Sequence, residues 1–262
     1  MARVVTLFSG SSGNCHYISS GKTEILVDAG VCARSVERAL SSIGTSLSNI
    51  SAIFITHEHI DHTRGLEVIS SRYKIPVFMT EISAKAMIKD RTSAIFPVLH
   101  LFPQIFTVEI GDIIIGSFAV PHDSACCVGY TVSFPNGEKN IKIGIATDIG
   151  HIENELVNAL LGSCACILEA NHDVEMLMAG PYPYSLKRRI LSSTGHLSNE
   201  DCGALMAKLA TLGTNSFLLA HLSKENNYPP TAELAAKNAV SDFEDIKIKI
   251  AAPSEPTELY IG

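Results

Sequence analysis

Four side chains that bind transition metals occur within the six residues 57–62, where the sequence reads His-Glu-His-Ile-Asp-His. They are His57, His59, Asp61 and His62. Imidazole and carboxylate groups are the ligand types that hold zinc and its neighbours in the transition series. An apolar run at residues 50–55 directly precedes them. A strand that delivers such a loop to a sheet edge predicts a metal site, whereas a solvated polar loop would rarely have this composition.

The same arrangement, an apolar strand followed by a possible ligand, recurs at four other places. The residues that follow these strands are Asp28, His122, Asp148 and His221. Strand ends are rigid and therefore hold ligands to the tolerances that a metal requires. Taken alone, His122 or Asp148 would be an ordinary surface residue, and only their place in this series favours a ligand role.

Short apolar runs alternate with helix-like segments along the rest of the chain. We predict strands at residues 4–8, 24–27, 50–56, 77–79, 106–110, 113–120, 126–134, 141–147, 165–169, 215–220 and 246–250. We predict helices at residues 33–43, 63–72, 83–89, 153–161, 175–191, 199–212 and 231–240. Strands grouped with helices on both outer sides predict a layered α/β fold, with residue 115 as the point where two similar halves would divide.

Composition indicates one globular domain spanning residues 1–262, with 46% hydrophobic and 18% charged residues. The net charge of −7 argues against a basic surface over the whole chain, although a local basic groove is compatible with it. No apolar run is long enough for a membrane span, and the seven cysteines show no disulfide framework. We therefore expect a cytoplasmic protein with reduced thiols and no membrane partner.

The order and spacing of these histidines and aspartates resemble the motif set of the metallo-β-lactamase superfamily. The resemblance implies a four-layer αββα sandwich with two divalent ions, Zn²⁺ or Mn²⁺ with iron as a further candidate, at one edge of two facing sheets. It implies that the first metal is bound by His57, His59 and His122, and the second by Asp61, His62 and His221. Asp148 would bridge the two ions, and Asp28 would orient the histidine-rich loop. Such ions can bring the pKa of water from ~15.7 to about 7 and so provide a nucleophile.

Two further segments resemble the RNase Z-like phosphodiesterases. They are Gly-His-Leu-Ser-Asn-Glu-Asp at residues 195–201, and Glu169 at the end of a predicted strand. The resemblance implies that His196 contacts the phosphate or donates a proton, that Glu169 orients it, and that Asp61 also belongs to the catalytic group. The long exosite arm of that group has no counterpart here, so tRNA processing is not expected.

Small residues of the loop at residues 9–14 permit close approach of the backbone to the site. Together with the histidine-rich loop and the 195–201 segment, this loop resembles the YycJ/WalJ group of bacterial hydrolases, which is associated with 5′-directed exonuclease action on DNA. We therefore expect a phosphodiester hydrolase with DNA as substrate, and Ser11, Asn14 and Arg188 as substrate contacts. Arg188 belongs to a basic triplet, residues 187–189, that could equally form a solvated helix face. Protein partners stay open.

Other functions are compatible with the same residues. The first is a phosphodiesterase of small cyclic nucleotides or nucleotide-like metabolites, since a short chain permits a compact pocket. The second is a regulatory protein that retains a structural metal site. A diiron oxidoreductase is a third, although the chain has no appended flavin domain.

Overall fold

Two seven-stranded sheets lie face to face in the computed structural model, which describes residues 2–88 and 98–261. The strands are β1 (Arg3–Phe8), β2 (Cys15–Ser19), β3 (Glu24–Val27), β4 (Ile50–Phe54), β5 (Val77–Thr80), β6 (Leu99–Phe102), β7 (Thr107–Ile110), β8 (Ile113–Ala119), β9 (Val128–Asn136), β10 (Lys139–Ala146), β11 (Ala165–Glu169), β12 (Ser216–Ala220), β13 (Lys247–Ile250) and β14 (Thr257–Leu259). The first sheet has the order β14-β1-β2-β3-β4-β5-β6, and the second has the order β13-β12-β11-β10-β9-β8-β7.

Helices flank the two sheets. They are α1 (Ala33–Ser42), α2 (Ile60–Thr63), α3 (Leu66–Tyr73), α4 (Glu81–Ile88), α5 (Asn154–Leu160), α6 (Val174–Ala179), α7 (Tyr184–Ile190), α8 (Asn199–Thr211) and α9 (Pro229–Ala239). None of the helices within the described residues is long and apolar enough to span a bilayer.

Three apolar cores separate the four layers. The central core packs alternate residues of both sheets together, including Val27 and Phe54 from the first and Ile143 and Ile167 from the second. The residues between these, such as Leu26, point to the opposite face and pack against helices, because successive side chains of a strand alternate. A third core lies between the second sheet and helices α5, α8 and α9. The predicted αββα sandwich is confirmed.

Parallel strands end together at one edge of the sandwich. Strands β3 to β6 are parallel in the first sheet, and β10 to β13 are parallel in the second. Strand β8 runs in the same direction as β10, because both pair antiparallel with β9. Residues that follow β3, β4, β8, β10 and β12 therefore meet at this edge. They include the predicted ligands and their supporting aspartate.

Several predicted elements differ from the structure. Strands β2, β6 and β14 were not predicted, and the sheets divide between β6 and β7, before residue 115. The helix predicted at residues 175–191 is interrupted between α6 and α7 by Gly180-Pro181-Tyr182-Pro183, since proline lacks the N–H that a continuous helix needs. The helix predicted at residues 63–72 starts at Leu66 instead, after the separate turn α2. Residue 89, predicted as the last of another helix, lies outside the described residues.

Candidate metal centre

All seven predicted ligand side chains lie together at the edge where the parallel strands end. One group contains His57, His59 and His122, and another contains Asp61, His62 and His221. Within each group, one nitrogen or oxygen of every side chain lies within 4.8 Å of the others. The histidine-rich loop contributes to both groups, because Asp61 and His62 in its short helix α2 lie near His221, whereas His57 and His59 lie near His122.

Asp148 lies between the two groups. Its Oδ2 atom is 3.3 Å from Nε2 of His62, and its Oδ1 atom is 3.5 Å from Nε2 of His221 and 3.8 Å from Nε2 of His122. Burial would raise the pKa of Asp148, but the imidazoles of His221 and His62 hold it well below its ordinary value. An ionised carboxylate in this place can contact cations held by either group.

Three of the histidines use one ring nitrogen for a supporting contact and direct the other toward Asp148. Nδ1 of His62 is 2.7 Å from Oδ2 of Asp28. Nδ1 of His122 is 3.1 Å from the carbonyl oxygen of Gly195, and Nδ1 of His221 is 3.0 Å from Oε1 of Glu169. An acceptor on Nδ1 keeps the proton there and leaves the lone pair of Nε2 free for a metal.

Buried nitrogens of the centre fit the presence of cations. Nε2 of His57 and Nε2 of His221 have no hydrogen-bond partner among the described residues, although both side chains are buried. Such orphaned groups are destabilising unless a ligand satisfies them. Burial and the neighbouring His62 lower the pKa of His57 well below its ordinary value, which favours the neutral form that binds metal. The donor set of imidazoles and carboxylates suits divalent ions.

Three residues of the centre have left-handed backbone conformation. The φ angles of Asp28, Asp148 and His221 are 63°, 58° and 57°. Asp28 and His221 directly follow β3 and β12, and Asp148 comes two residues after the end of β10. Residues other than glycine rarely adopt this conformation, although Asp and His do so more readily than most. The abrupt turn moves each side chain from the direction of its strand into the space between the two sheets, at a cost of ~1–3 kcal/mol per residue.

Backbone hydrogen bonds join the three loops of the first sheet that surround the centre. The Asn14 N–H donates to Asp61 O at 2.8 Å, and the Gly30 N–H donates to Asn14 O at 2.8 Å. The contact is so close that a Cβ on Gly30 would lie 1.6 Å from the carbonyl oxygen of Asp61. The Asn14 side chain is fully buried, with its Nδ2 3.1 Å from Nε2 of His62. Asn14 thus lies beneath the metal loop, not on a surface open to substrate.

Asp28 is the buried support of His62, and its replacement is expected to weaken metal binding. In Asp28→Asn, the amide nitrogen would face Nδ1 of His62 if Oδ1 kept its bond to the Thr56 N–H, now 2.9 Å long. The proton of His62 would then move to Nε2 and block coordination. We expect an affinity loss of about 10–100-fold, measured by metal titration. Asp245→Asn is the control, because Asp245 is exposed and has a similar φ of 62°; equal metal affinity in both variants would contradict this role of Asp28.

His196 and Glu169 form a pair beside the predicted ligands. Nδ1 of His196 is 2.7 Å from Oε1 of Glu169, and the carboxylate also accepts hydrogen bonds from the N–H groups of Ile149 and Leu197. Burial works against both charges, yet the pair raises the pKa of His196 and lowers that of Glu169 to about 2. His196 keeps 20% of its side chain exposed, so one face of the ring is open to a substrate.

A cavity of about 170 Å³ lies next to His196. Ser11, one of the predicted substrate contacts, lines it, but Arg188 does not. Its neighbour Arg189 lines the cavity and forms an ion pair with Asp123, whereas Lys187 is buried and donates to the carbonyl oxygens of α6 and its end. The orientation of α7 about its axis, which the sequence does not reveal, places Arg189 at the cavity instead of Arg188.

Several contributors to the site were not predicted from sequence. Thr56 donates from its backbone N–H to Asp28, and its Oγ1 lies 3.0 Å from Oδ2 of the same residue. Tyr182 lines the cavity from the Pro-rich segment that interrupts the helices. Asp123 contacts both His122 and Arg189. Its position directly after the predicted ligand His122 was the only sequence signal that could have identified it.

The fold and this cluster define a class of protein. A family model described as a beta-lactamase superfamily domain matches residues 23–222, so the chain belongs to the beta-lactamase superfamily. The protein is a metal-dependent hydrolase of that superfamily, with a His/Asp cluster suited to divalent ions.

Individual relatives place the chain more closely. It is 36% identical over 262 residues to the exodeoxyribonuclease YycJ of Bacillus anthracis, covering 97% of this chain and 96% of that protein. It is 34% identical over 262 residues to the exodeoxyribonuclease WalJ of Streptococcus pneumoniae, covering 97% and 95%. Among solved structures, the metallo-beta-lactamase fold protein YhfI of Bacillus subtilis aligns with a TM-score of 0.73 at 15% identity, covering 98% of this chain and 99% of that chain. This last similarity concerns the fold alone.

Proposed function

We propose that the protein is a dinuclear metal-dependent phosphodiesterase that removes nucleotides from DNA, with 5′-directed exonuclease action. The observation that carries the proposal is the contact of 2.7 Å between His196 and Glu169, directly beside the ligand cluster. Phosphodiester hydrolysis requires a proton for the departing oxygen, and this pair can supply it. Full-length identity of 36% to a protein named exodeoxyribonuclease supports DNA as the substrate.

The proposed assignment follows the two groups of side chains. One ion would be held by His57, His59 and His122. The other would be held by Asp61, His62 and His221. Asp148 would contact both ions. When bound, a pair of divalent ions, Zn²⁺ or Mn²⁺ with iron as a further candidate, lowers the pKa of water and neutralises charge on the phosphate. Asp28 would fix the ring of His62, so that its Nε2 faces the centre.

The remaining residues would contact the substrate or orient a residue that does. Glu169 accepts a hydrogen bond from Nδ1 of His196 and stabilises the ring when it is cationic. The cationic ring of His196 would then donate a proton to the leaving oxygen. Arg189, held by Asp123 at the rim of the cavity, would contact a phosphate or a base edge in place of Arg188. Ser11 would line the same subsite. The cavity is small, at about 170 Å³, so we expect it to receive the end of a strand and not several nucleotides at once.

Chelation is expected to abolish DNA cleavage, because both the nucleophile and the neutralisation of phosphate charge depend on the metals. EDTA treatment followed by dialysis should remove the activity, and Mn²⁺ or Zn²⁺ should restore it. A digestion series on strands labelled at either end measures both activity and polarity. Release of labelled mononucleotide from the 5′ end in the first time points is the expected result, whereas undiminished cleavage by metal-free protein would exclude the mechanism.

A phosphodiesterase of small cyclic nucleotides is the second candidate, favoured by the same small cavity. Parallel assays with single-stranded DNA, duplex DNA and cyclic mononucleotides separate the two. A catalytic efficiency for cyclic nucleotides above that for every DNA would replace the first candidate with the second.

A further inference from the structure

We propose that a basic groove between helices α1 and α3 binds the phosphate backbone of a DNA strand whose end lies at the metal centre. This inference rests on the proposed function and adds to it a polynucleotide-binding surface. The groove has a volume of about 550 Å³ and is called here the α1/α3 groove. Its cationic lining residues are Arg34 and Arg38 from α1 and Arg72 from α3.

The three arginines of the groove are available to a ligand. All three are exposed, and within the described stretches no carboxylate lies within 4.0 Å of their guanidinium nitrogens. Glu37, which also lines the groove, accepts a hydrogen bond of 3.0 Å from the Leu47 N–H and so is tied to the protein backbone. One carboxylate therefore faces three cations.

This arrangement contrasts with the charge of the whole chain. The sequence has 27 acidic and 20 basic residues, and the arginines Arg3 and Arg189 are engaged by Glu258 and Asp123. Three arginines and one carboxylate in a concave surface leave an excess of positive charge there, on a protein that is acidic as a whole. Guanidinium groups suit phosphate oxygens particularly well, because their planar donors can form paired hydrogen bonds.

The groove also offers an aromatic side chain. Tyr73 lines it, and the guanidinium carbon of Arg72 lies 5.5 Å from the centre of the Tyr73 ring. Tyr73 is half-buried, because its ring also packs against the core beneath α3. Proteins that bind single strands without sequence preference combine a positive groove with aromatic side chains. A sulfate-like anion alone would use the arginines but not this ring.

The groove begins near the metal centre. Helix α1 starts at Ala33, shortly after Asp28, and α3 starts at Leu66, shortly after His62. The two starting points are joined by the Gly65 N–H, which donates to Ala29 O at 2.8 Å. Eight helical residues of α3 extend about 12 Å, so Arg72 lies on the order of 10 Å farther along the surface than the start of the helix.

Arg64 connects the metal centre with the α1/α3 groove. It is exposed, and its Nη1 donates to Ser12 O at 3.0 Å, next to the cavity-lining Ser11. We infer that a strand leaving the cavity past Arg64 continues into the groove lined by Arg34, Arg38 and Arg72. A cyclic mononucleotide at the metal centre would be too short to reach them, so the groove favours substrates of several nucleotides.

Substitution of the groove arginines tests this surface on the metal-loaded protein. The test variant is Arg34→Ser/Arg38→Ser/Arg72→Ser, and the control is Lys22→Ser/Lys139→Ser/Lys208→Ser, which removes three exposed positive charges elsewhere. Binding is measured by fluorescence anisotropy with a labelled 30-nucleotide phosphorothioate strand that resists cleavage. Hydrolysis of bis(p-nitrophenyl) phosphate reports the metal centre alone.

We expect the test variant to bind the strand about tenfold more weakly or worse at low salt. Its slope of log Kd against log salt should fall by about 2, because each phosphate of a single strand that the protein neutralises adds ~0.7 to that slope. Hydrolysis of the small diester should stay within about twofold of the unmodified protein, as should every property of the control variant. Lysine at the three positions should recover most of the binding, because the charge is kept.

Equal strand affinity and equal salt slope in the test and control variants would overturn the groove assignment. Failure of the proposed function has a different signature: the unmodified protein would hydrolyse the small diester but neither bind nor cleave DNA of any length. Weak binding by the serine variant together with an inability to hydrolyse the small diester would also count against a separate surface, since the groove would then be part of the metal site.

Discussion

Asp148→Ala is expected to remove metal from the protein and to abolish hydrolysis. The Asp148 carboxylate lies 3.8 Å from Nε2 of His122 in one group of ligands and 3.3 Å from Nε2 of His62 in the other, so its loss removes an anion that lies next to both groups. Without this carboxylate, the charge of two buried cations would be balanced by far less negative charge from the protein. We expect metal content to fall from two ions to less than one per chain, and kcat/KM to fall by at least about 10³-fold, comparable to the loss of other essential catalytic groups.

Two further variants separate this chemistry from a general loss of structure. Asp245→Ala introduces alanine at an exposed aspartate with φ of 62°, close to the 58° of Asp148, and therefore carries the same backbone penalty without touching the site. Asp148→Asn keeps the shape and one carbonyl oxygen, and should retain some metal. Metal analysis by mass spectrometry and the melting temperature are recorded for each. If Asp148→Ala still bound two ions per chain, the proposal that Asp148 contacts both ions would be wrong.

His196→Ala is expected to slow DNA cleavage strongly while leaving the metals in place. Its Nδ1 contacts Glu169 and it is absent from both proposed ligand triplets, so removal affects proton transfer and not metal affinity. General acid catalysis contributes about 10²–10⁴-fold, and kcat should fall by this factor with little change in KM. Bis(p-nitrophenyl) phosphate provides the sharper measurement, because nitrophenolate leaves without a proton. The rate loss should therefore be much smaller for this substrate than for DNA.

His151→Ala is the matched control for this experiment. His151 also lies near the centre, but its Nδ1 is 2.7 Å from Ser193 O and its Nε2 is 3.1 Å from Glu153, at the surface. Its replacement should leave both substrates unaffected. Equal rate losses for DNA and the nitrophenyl diester in His196→Ala would show that His196 is not a proton donor to the leaving group, and loss of metal would show that it is a ligand.

The sequence predicted the layers and the ligand cluster, because both depend on short patterns of neighbouring residues. Residues 50–56 and 141–147 are mostly apolar and are followed by the ligand-type residues His57 and Asp148, so both the strands and their functional ends could be identified without coordinates. The fold class and the superfamily are confirmed. Strand β2 escaped prediction because Cys15–Ser19 follows a glycine-rich loop and includes His16, whose buried ring contacts Thr6 Oγ1 at 2.9 Å.

Other features depend on tertiary geometry that no local pattern encodes. Arg188 and Arg189 are consecutive in α7 and therefore point in different directions from the helix axis. Which of them faces the cavity depends on where the helix begins, after Pro183. The burial of Asn14 results from contact between the first loop and the histidine-rich loop, two segments far apart in the sequence. The α1/α3 groove combines two helices in the same way, so its arginines carry no signal of their own.

The left-handed turns at Asp28, Asp148 and His221 reduce the stability of the fold in exchange for the side chains that the metal centre needs. Glycine would occupy each of these positions with the least strain, yet glycine offers no ligand atom. A lineage released from selection for hydrolysis would therefore gain durability by drifting to glycine there. Such a replacement in a homologous chain would be a diagnostic mark of a pseudoenzyme, readable before any assay.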